Sequence, residues 1–556
     1  MTQTPLLTVA DLCVTITANA GTARVVDGVS FSITEGRTLA LVGESGSGKS
    51  MTAMSLLGLT PAGVDVETTG TAMFGGRDLL SLPEAELRQV RGGQIAVVFQ
   101  DPAAALDPLM TVANQIGESL PRGLRGEAAR QRVRDLLAEV GLDSVPHIER
   151  RYPHELSGGQ QQRVAIASAL AGNPSLLIAD EPTTALDMSV QAQILELLST
   201  LRKARSMAML LITHDLGVVA AHADDVVVLR KGAMVEAGPT ADVIARPRDA
   251  YTKMLLDSRP RLDAAANCRG EPDQAEPVLS VDALTVSYPG HNAFARRVTA
   301  VDGVSLSLPR GGALGIVGES GSGKSTIAKA IVGLTAIEGG SVFFDGKRLL
   351  NPGSMPAAMR ARLQYIFQDS YGALNPRLSV ERAIGEPFAI AGMPPRQRRD
   401  AIVALLNEVG LSDALLGRLP RELSGGQRQR VNIARALALS PEVLICDEIV
   451  SALDVSIQAQ VIKLLKQLQR TRSLSLLFIS HDLGVIAEIC DRVMVMRAGK
   501  VIEEGSVRSV FDTPSQAYTR GLLDAAEALE GVSSHSRHLP IEGAQSTQQT
   551  EAVLAV

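Results

Sequence analysis

Tryptophan is absent from the 556 residues, tyrosine occurs six times and phenylalanine ten, so few rings are available on which nucleic-acid bases would stack. Lysine and arginine total 54 against 60 acidic residues, a formal net charge of -6, whereas a general nucleic-acid binder is expected to be basic. Cysteine is scarce as well. Cys13, Cys268, Cys446 and Cys490 are scattered without a Cys-x-x-Cys pair, which suggests neither a disulfide framework nor a metal cluster and fits a reducing compartment. No run of about 18 uninterrupted apolar residues occurs, and Met1 to Pro5 lacks the charged and apolar regions of a secretory signal. Any membrane pore the protein serves must therefore come from partners.

What the chain does contain is repetition. Gly43-Glu44-Ser45-Gly46-Ser47-Gly48-Lys49-Ser50 recurs letter for letter from Gly318 through Glu319, Ser320, Gly321, Ser322, Gly323 and Lys324 to Ser325. Both copies fit G-x-x-x-x-G-K-S, in which glycines let backbone N–H groups converge on phosphate oxygens. The lysine neutralises β/γ charge and the serine hydroxyl reaches Mg²⁺. Repetition at about half the chain length predicts two domains of similar size, at 1–258 and 278–530. An aperiodic Ala, Asp, Glu, Pro and Arg stretch at 259–277 reads as a linker, whose roughly 18 residues span at most about 60 Å when extended. Residues 531–556, rich in Ser, Gln, His and Glu, read as a disordered tail.

The rest of each half is in register. Ser157 and Ser424, Asp180 and Asp447, and His214 and His481 are each 267 residues apart. The runs Leu176 to Ala179 and Val443 to Cys446 predict interior parallel strands, hence an α/β sheet covered on both faces, with Cys446 as a small core residue. Met207 to Leu229, broken by His214, Asp215, His222, Asp224 and Asp225, predicts two buried strands around an active-site turn. Leu-Ser-Gly-Gly-Gln stands at Leu156 to Gln160 and again at Leu423 to Gln427, each time before a helical pattern. Serine and paired glycines at a helix start make an anion seat, because unpaired N–H groups and the helix dipole face whatever sits there.

With these motifs in place the chain resembles the ATP-binding cassette ATPases over nearly all its length. The resemblance implies two P-loop domains, each a RecA-like α/β core with a helical subdomain, closing head to tail within one molecule. Lys49 and Ser50 would then share a nucleotide with Ser424, Gly425, Gly426 and Gln427, and Lys324 and Ser325 one with Ser157, Gly158, Gly159 and Gln160. Met51 and Thr326 would flank the phosphate loops, and Tyr288 would stack the adenine where the first half has Ile16. Asp180 and Asp447 would hold Mg²⁺ with Ser50, Ser325, Gln100 and Gln368, Glu181 and Glu448 would polarise the attacking water, and His214 and His481 would steady the γ-phosphate. ATP and Mg²⁺ are the implied cofactors. With Cys268 alone in its region, no iron–sulfur cluster is expected.

The loops Asp101 to Pro108 and Asp369 to Pro376, the segments Ala185 to Gln193 and Ala452 to Gln460, and the ends Ala250 to Leu256 and Ala517 to Leu523 resemble the dipeptide, oligopeptide and nickel importer branch. That implies two transmembrane permease subunits and an extracytoplasmic solute-binding protein as partners, no nucleic acid, no other nucleotide-binding subunit, and a peripheral place on the cytoplasmic face of the membrane. Nickel, glutathione or another small solute, or export, stay open as cargo and direction. A soluble tandem cassette acting on ribosomes or DNA is the rival, against which stand the short linker and the acidic balance. Two further positions depart from the family pattern. Ile449 replaces the proline found at Pro182, which predicts a less rigid turn after Glu448, and Ser168 replaces the arginine found at Arg435.

Overall fold

The computed structural model describes residues 4–18, 21–60, 63–184, 186–267, 276–289, 297–349, 355–451 and 453–530. Cys268 and the rest of linker residues 268–275, the 531–556 tail, and Ala185 and Ala452 lie outside the described residues, and Pro277, the last residue assigned to the linker, begins the strand Pro277–Tyr288. Each half is built on two sheets. In the first, Gly21–Thr34, Pro5–Ala18, Asp65–Phe74 and Arg77–Asp78 form an antiparallel layer, and six strands form the second in the order Ala233–Pro239, Asp225–Arg230, Thr38–Val42, Ala208–Thr213, Leu176–Asp180, Ile95–Val98. The second half repeats both layers, its six-stranded sheet running Leu363–Ile366, Val443–Asp447, Ser475–Ile479, Ala313–Val317, Arg492–Arg497, Lys500–Ser506.

Burial follows from the residue patterns. Thr38–Val42, Leu176–Asp180 and Ala208–Thr213 are buried at every position and pair in parallel, as strands covered on both faces must be. Pro5–Ala18, an inner strand of the antiparallel layer, alternates instead, burying Leu7, Val9, Leu12 and Val14. A bulge at Asp11 (φ 49°), matched by Ala283 (φ 47°), resets its register so that Leu12 again faces inward. Cys446 is fully buried in its strand, as expected. The apolar stretch from Met207 holds the two expected strands, and between them lies a helix, Leu216–His222, as well as the turn at His214.

A helical layer in each half carries the signature helices, Gly158–Leu170 and Gly425–Leu437, beside Val112–Glu118 and Gly126–Glu139 in the first half and Val380–Ile390 and Pro395–Glu408 in the second. The loop after Gln100 contains a short helix, Pro102–Ala105, capped by Asp101. None of the described helices is long and apolar enough to cross a membrane.

The start of the aperiodic segment is packed, not free. Leu262–Asn267 forms a 3₁₀ helix, and Leu262 and Ala265 are buried in the apolar core of the second half. Conversely Leu529, at the end of the last helix Ala517–Glu530, is buried in a core of the first half. The two halves thus exchange their C-terminal segments.

Candidate active site

Each phosphate loop leaves the end of a central strand and enters a helix, Lys49–Ser55 or Lys324–Ile331. Two glycines per loop have no substitute. Gly43 (φ 156°) and Gly48 (φ 97°) lie where an added Cβ would collide with the carbonyls of Leu229 and Val25, and Gly318 and Gly323 stand in the same way against Met496 and Ala300. Lys49 Nζ donates to the carbonyls of Gly43 at 2.7 Å and Glu44 at 3.1 Å, and Lys324 Nζ to Gly318 at 2.7 Å and Glu319 at 2.9 Å. Burial holds both lysines below their ordinary range, opposed by the surrounding carboxylates. The buried Oγ atoms of Ser47 and Ser322 have no partner, and an anion within the loop would supply an acceptor.

The expected metal ligands converge. Ser50 Oγ donates to Asp180 Oδ1 at 3.0 Å and Ser325 Oγ to Asp447 Oδ1 at 2.8 Å. Burial pushes both aspartates above the usual carboxylate range, so each interior carboxylate calls for a cation, and a hard oxygen set of hydroxyl and carboxylate suits Mg²⁺. Beside them, Glu181 (φ 45°) and Glu448 (φ 48°) adopt the left-handed conformation, a strained backbone of the kind that active sites tolerate. Gln100 Nε2 donates to Glu181 Oε2 at 2.9 Å and Gln368 Nε2 to Glu448 Oε2 at 2.7 Å. His214 Nδ1 lies 3.5 Å from Glu181 Oε1, and His481 Nδ1 lies 3.8 Å from Glu448 Oε2. Burial disfavours charge on all four groups, but the mutual attraction outweighs it: both glutamates sit below their ordinary range and both histidines above theirs.

The halves meet head to tail through reciprocal hydrogen bonds. Asp454 Oδ1 accepts from Ser45 N at 2.7 Å and Ser45 Oγ at 2.9 Å. Asp187 Oδ1 accepts from Ser320 N at 2.8 Å and from Ser320 Oγ. Ser189 Oγ donates to Glu319 at 3.2 Å, and Ser456 Oγ donates to Glu44. The signature serines act locally in this arrangement: Ser157 and Ser424 cap their own helices in reciprocal pairs with Gln160 and Gln427. Gly159 and Gly426 let these helix starts lie against Val190 and Ile457, just past the crossing aspartates. Each signature helix is therefore carried by the segment that reaches the opposite phosphate loop.

Of the remaining sequence candidates, Tyr288 is partly exposed, its hydroxyl 3.4 Å from Thr326 Oγ1. Ile16 occupies the matching edge of the first half and Met51 packs into the core behind its phosphate loop. Sequence reasoning missed several contributors. Asp187 and Asp454 lay inside segments noted only for their branch resemblance, as did Tyr251 and Tyr518, whose hydroxyls accept from Glu44 N and Glu319 N, both at 3.1 Å. Tyr365 donates to Asp447 Oδ2, where the first half has Val97. The turn at Ile449 has the same backbone anchor as its counterpart: Glu448 N donates to Ile479 O at 3.0 Å just as Glu181 N donates to Ile212 O at 2.9 Å, and Ile449 and Pro182 are both buried.

The comparisons with known proteins agree with this geometry. The ABC transporter family model matches residues 26–184 and 301–451, and the model of the oligopeptide/dipeptide transporter C-terminal region matches 235–284 and 502–551. The chain is 46% identical over 541 residues to the peptidoglycan transport ATP-binding protein YejF of Agrobacterium fabrum, covering 95% of this chain and 97% of that one. It is 44% identical over 541 residues to the glutathione import ATP-binding protein GsiA of Escherichia coli K12, covering 91% and 87%. Among solved structures, a chain from the complex of an archaeal ribosomal stalk protein with an archaeal ribosome recycling factor aligns over 86% of this chain and 88% of its own, with a TM-score of 0.58 and 20% identity; that likeness concerns the fold alone. With two matched cassettes, two matched C-terminal regions and near full-length relatives, the chain belongs to the ABC transporter ATP-binding proteins, which hydrolyse ATP to drive transport.

Proposed function

We propose that this chain is the complete ATP-hydrolysing engine of an importer for di- and oligopeptides or peptide-like solutes, working on two separate permease subunits that receive cargo from an extracytoplasmic binding protein. The observation that carries the engine is the reciprocal crossing of Asp454 onto Ser45 and of Asp187 onto Ser320. Both partners of a two-site machine lie in one molecule, so closure is intramolecular and each half meets the other at high effective concentration. The cargo class rests on the twice-matched oligopeptide/dipeptide region and on relatives named for peptidoglycan and glutathione transport. A place on the cytoplasmic face of the membrane, bound to the permeases, follows from that role.

In this reading the loops Gly43–Ser50 and Gly318–Ser325 take the phosphates, and Lys49 and Lys324 turn from their carbonyl partners to the β and γ oxygens. Ser50 with Asp180, and Ser325 with Asp447, hold Mg²⁺, which when bound neutralises phosphate charge. Glu181 and Glu448, held ionised by histidine, are ready to accept the proton of an attacking water oriented by Gln100 or Gln368. Ser157 to Gln160 and Ser424 to Gln427, delivered by the crossing segments, offer helix-start N–H groups to the γ-phosphate of the opposite loop. ATP favours the closed form and its loss the open one, and the permeases respond to which prevails.

The test is the double variant Glu181→Gln/Glu448→Gln in the assembled transporter. It is expected to bind ATP and stay closed while turnover falls by at least about 100-fold. Unimpaired hydrolysis would overturn the assignment of the base. Stimulation of the native assembly by a metal or a non-peptide solute, and not by peptides, would overturn the cargo class.

A further inference from the structure

Where both histidine turns approach each other, a cavity of about 140 Å³ is lined from both halves, by Glu181, His214 and Asp215 on one side and His481 and Asp482 on the other. Across it runs a segment that neither ATP site uses. Arg259, just after the helix Ala250–Asp257, places Nε 3.4 Å from Asp215 Oδ1. Its Nη2 donates to Leu529 O at 2.7 Å and its Nη1 to Glu530 O at 3.2 Å, so it closes the end of the second half's last helix. Glu530 answers by accepting from Leu262 N at 3.1 Å. The strap is gripped between two glycines, each three residues past its histidine. A Cβ on Gly217 would overlap the Arg259 guanidinium, and one on Gly484 would lie 2.9 Å from Pro260 O.

The arrangement is one-sided. Ala526 holds the place in the second half that Arg259 holds in the first, 267 residues on, and it lines the same cavity. Asp215 also caps the helix that follows His214, accepting from Gly217 N at 2.7 Å. The arginine thus grips the residue next to the histidine that faces Glu181, while holding main-chain carbonyls of the other half. A planar guanidinium engages one carboxylate and two carbonyls at once, which a lysine ammonium on a flexible stem does with less geometric control.

We propose that Arg259 is a positioning residue of the first ATP site: it ties the His214–Asp215 turn to the C-terminal end of the second half, so that the turn keeps its place against Glu181 as the halves open and close. The proposal rests on the ATPase reading above. It requires a loss of turnover without a loss of ATP binding, since nothing in the strap touches the phosphate loops.

The test is a cycle of Arg259→Ala, Gly217→Ala and the double variant in the full transporter, with ATP turnover followed against ATP concentration. Arg259→Ala is expected to lower kcat about tenfold, the scale of one lost charge-assisted contact set, with KM for ATP within about twofold of native. Gly217→Ala, whose methyl displaces the guanidinium without altering charge, should cause the same loss alone and none on top of Arg259→Ala. Arg259→Lys should recover part of the turnover. Native kcat in Arg259→Ala, or a Gly217→Ala penalty that multiplies undiminished in the Arg259→Ala background, overturns the proposal. A transporter that hydrolyses no ATP in native form would instead overturn the function on which it rests.

Discussion

The junction between Asp454 and Ser45 lends itself to a quantitative perturbation. In Asp454→Ala the carboxylate that accepts from Ser45 N at 2.7 Å and Ser45 Oγ at 2.9 Å is gone. Hydrogen bonds to a charged group contribute about 1.5–3 kcal/mol each, but Ser45 is solvent-exposed, and water replaces much of what is lost. About 1 kcal/mol per bond is a defensible net figure, so the junction contributes about 2 kcal/mol to closure, roughly a 30-fold change in the closing equilibrium. Because only the closed form completes both sites, the ATP concentration for half-maximal hydrolysis should rise by up to about 30-fold and the cooperativity between sites should fall. Binding of a fluorescent ATP analogue to the open form should stay as it was. Asp454→Asn, which keeps an acceptor oxygen but not the charge, should fall between. If Asp454→Ala left the half-maximal concentration unchanged or lowered it, the carboxylate would be merely occupying donors that phosphate must claim, and the reasoning would fail.

Two further outcomes are expected. Tyr365→Phe removes the hydroxyl that donates to Asp447 Oδ2; a carboxylate relieved of that donor is a stronger cation ligand, so the Mg²⁺ concentration for half-maximal turnover should drop severalfold, and an unchanged Mg²⁺ profile refutes the link. The histidine–glutamate pairs should also shape stability against pH. With both histidines raised above 6.5 and both glutamates held below 4.5, the pairs contribute fully between about pH 4.5 and 6.5. The histidine share is lost as pH rises through the raised folded values. The melting temperature of the nucleotide-free protein should therefore fall more steeply from pH 6.5 to 8.5 in the native chain than in His214→Gln/His481→Gln, and parallel slopes would refute the pairing.

Legibility of the sequence followed the range of the interactions. The phosphate loops, signature serines and strand-end acids were readable because short segments fix their geometry: a strand, a turn that only glycine permits, and a helix start. Repetition at matched distances then turned weak signals such as Gln100 and Gln368 into strong ones. Asp187 and Asp454 escaped because their partners lie 133 and 409 residues away, and an aspartate before a helix reads as an N-cap and nothing more. The packed start of the linker left one faint trace, Leu262 and Ala265 three residues apart, the period of the 3₁₀ turn they form. Arg259 looked like a linker charge because its carbonyl partners belong to a helix end placed by the other half's fold.

The two ATP sites differ, and the difference concerns the base more than the turn that carries it. Glu181 Oε2 accepts from both Gln100 at 2.9 Å and Thr184 Oγ1 at 3.0 Å, and Glu181 Oε1 lies 3.9 Å from Lys49 Nζ. In the second half Ser451 takes the place of Thr184, and its Oγ donates at 2.9 Å to the backbone carbonyl of Glu448 instead of the carboxylate. Each donor to an ionised carboxylate favours the charged form and lowers its basicity, so Glu448, with one donor fewer, is the stronger proton acceptor. The second half also carries the exposed ring of Tyr288, the expected adenine partner, where the first has Ile16, and the first has the Arg259 strap behind its histidine. Aromatic stacking adds binding energy and a freer carboxylate adds basicity, and both fall on the same side. On this reasoning Glu448→Gln alone is expected to lower turnover more than Glu181→Gln alone, and equal losses in the two single variants would refute the ranking.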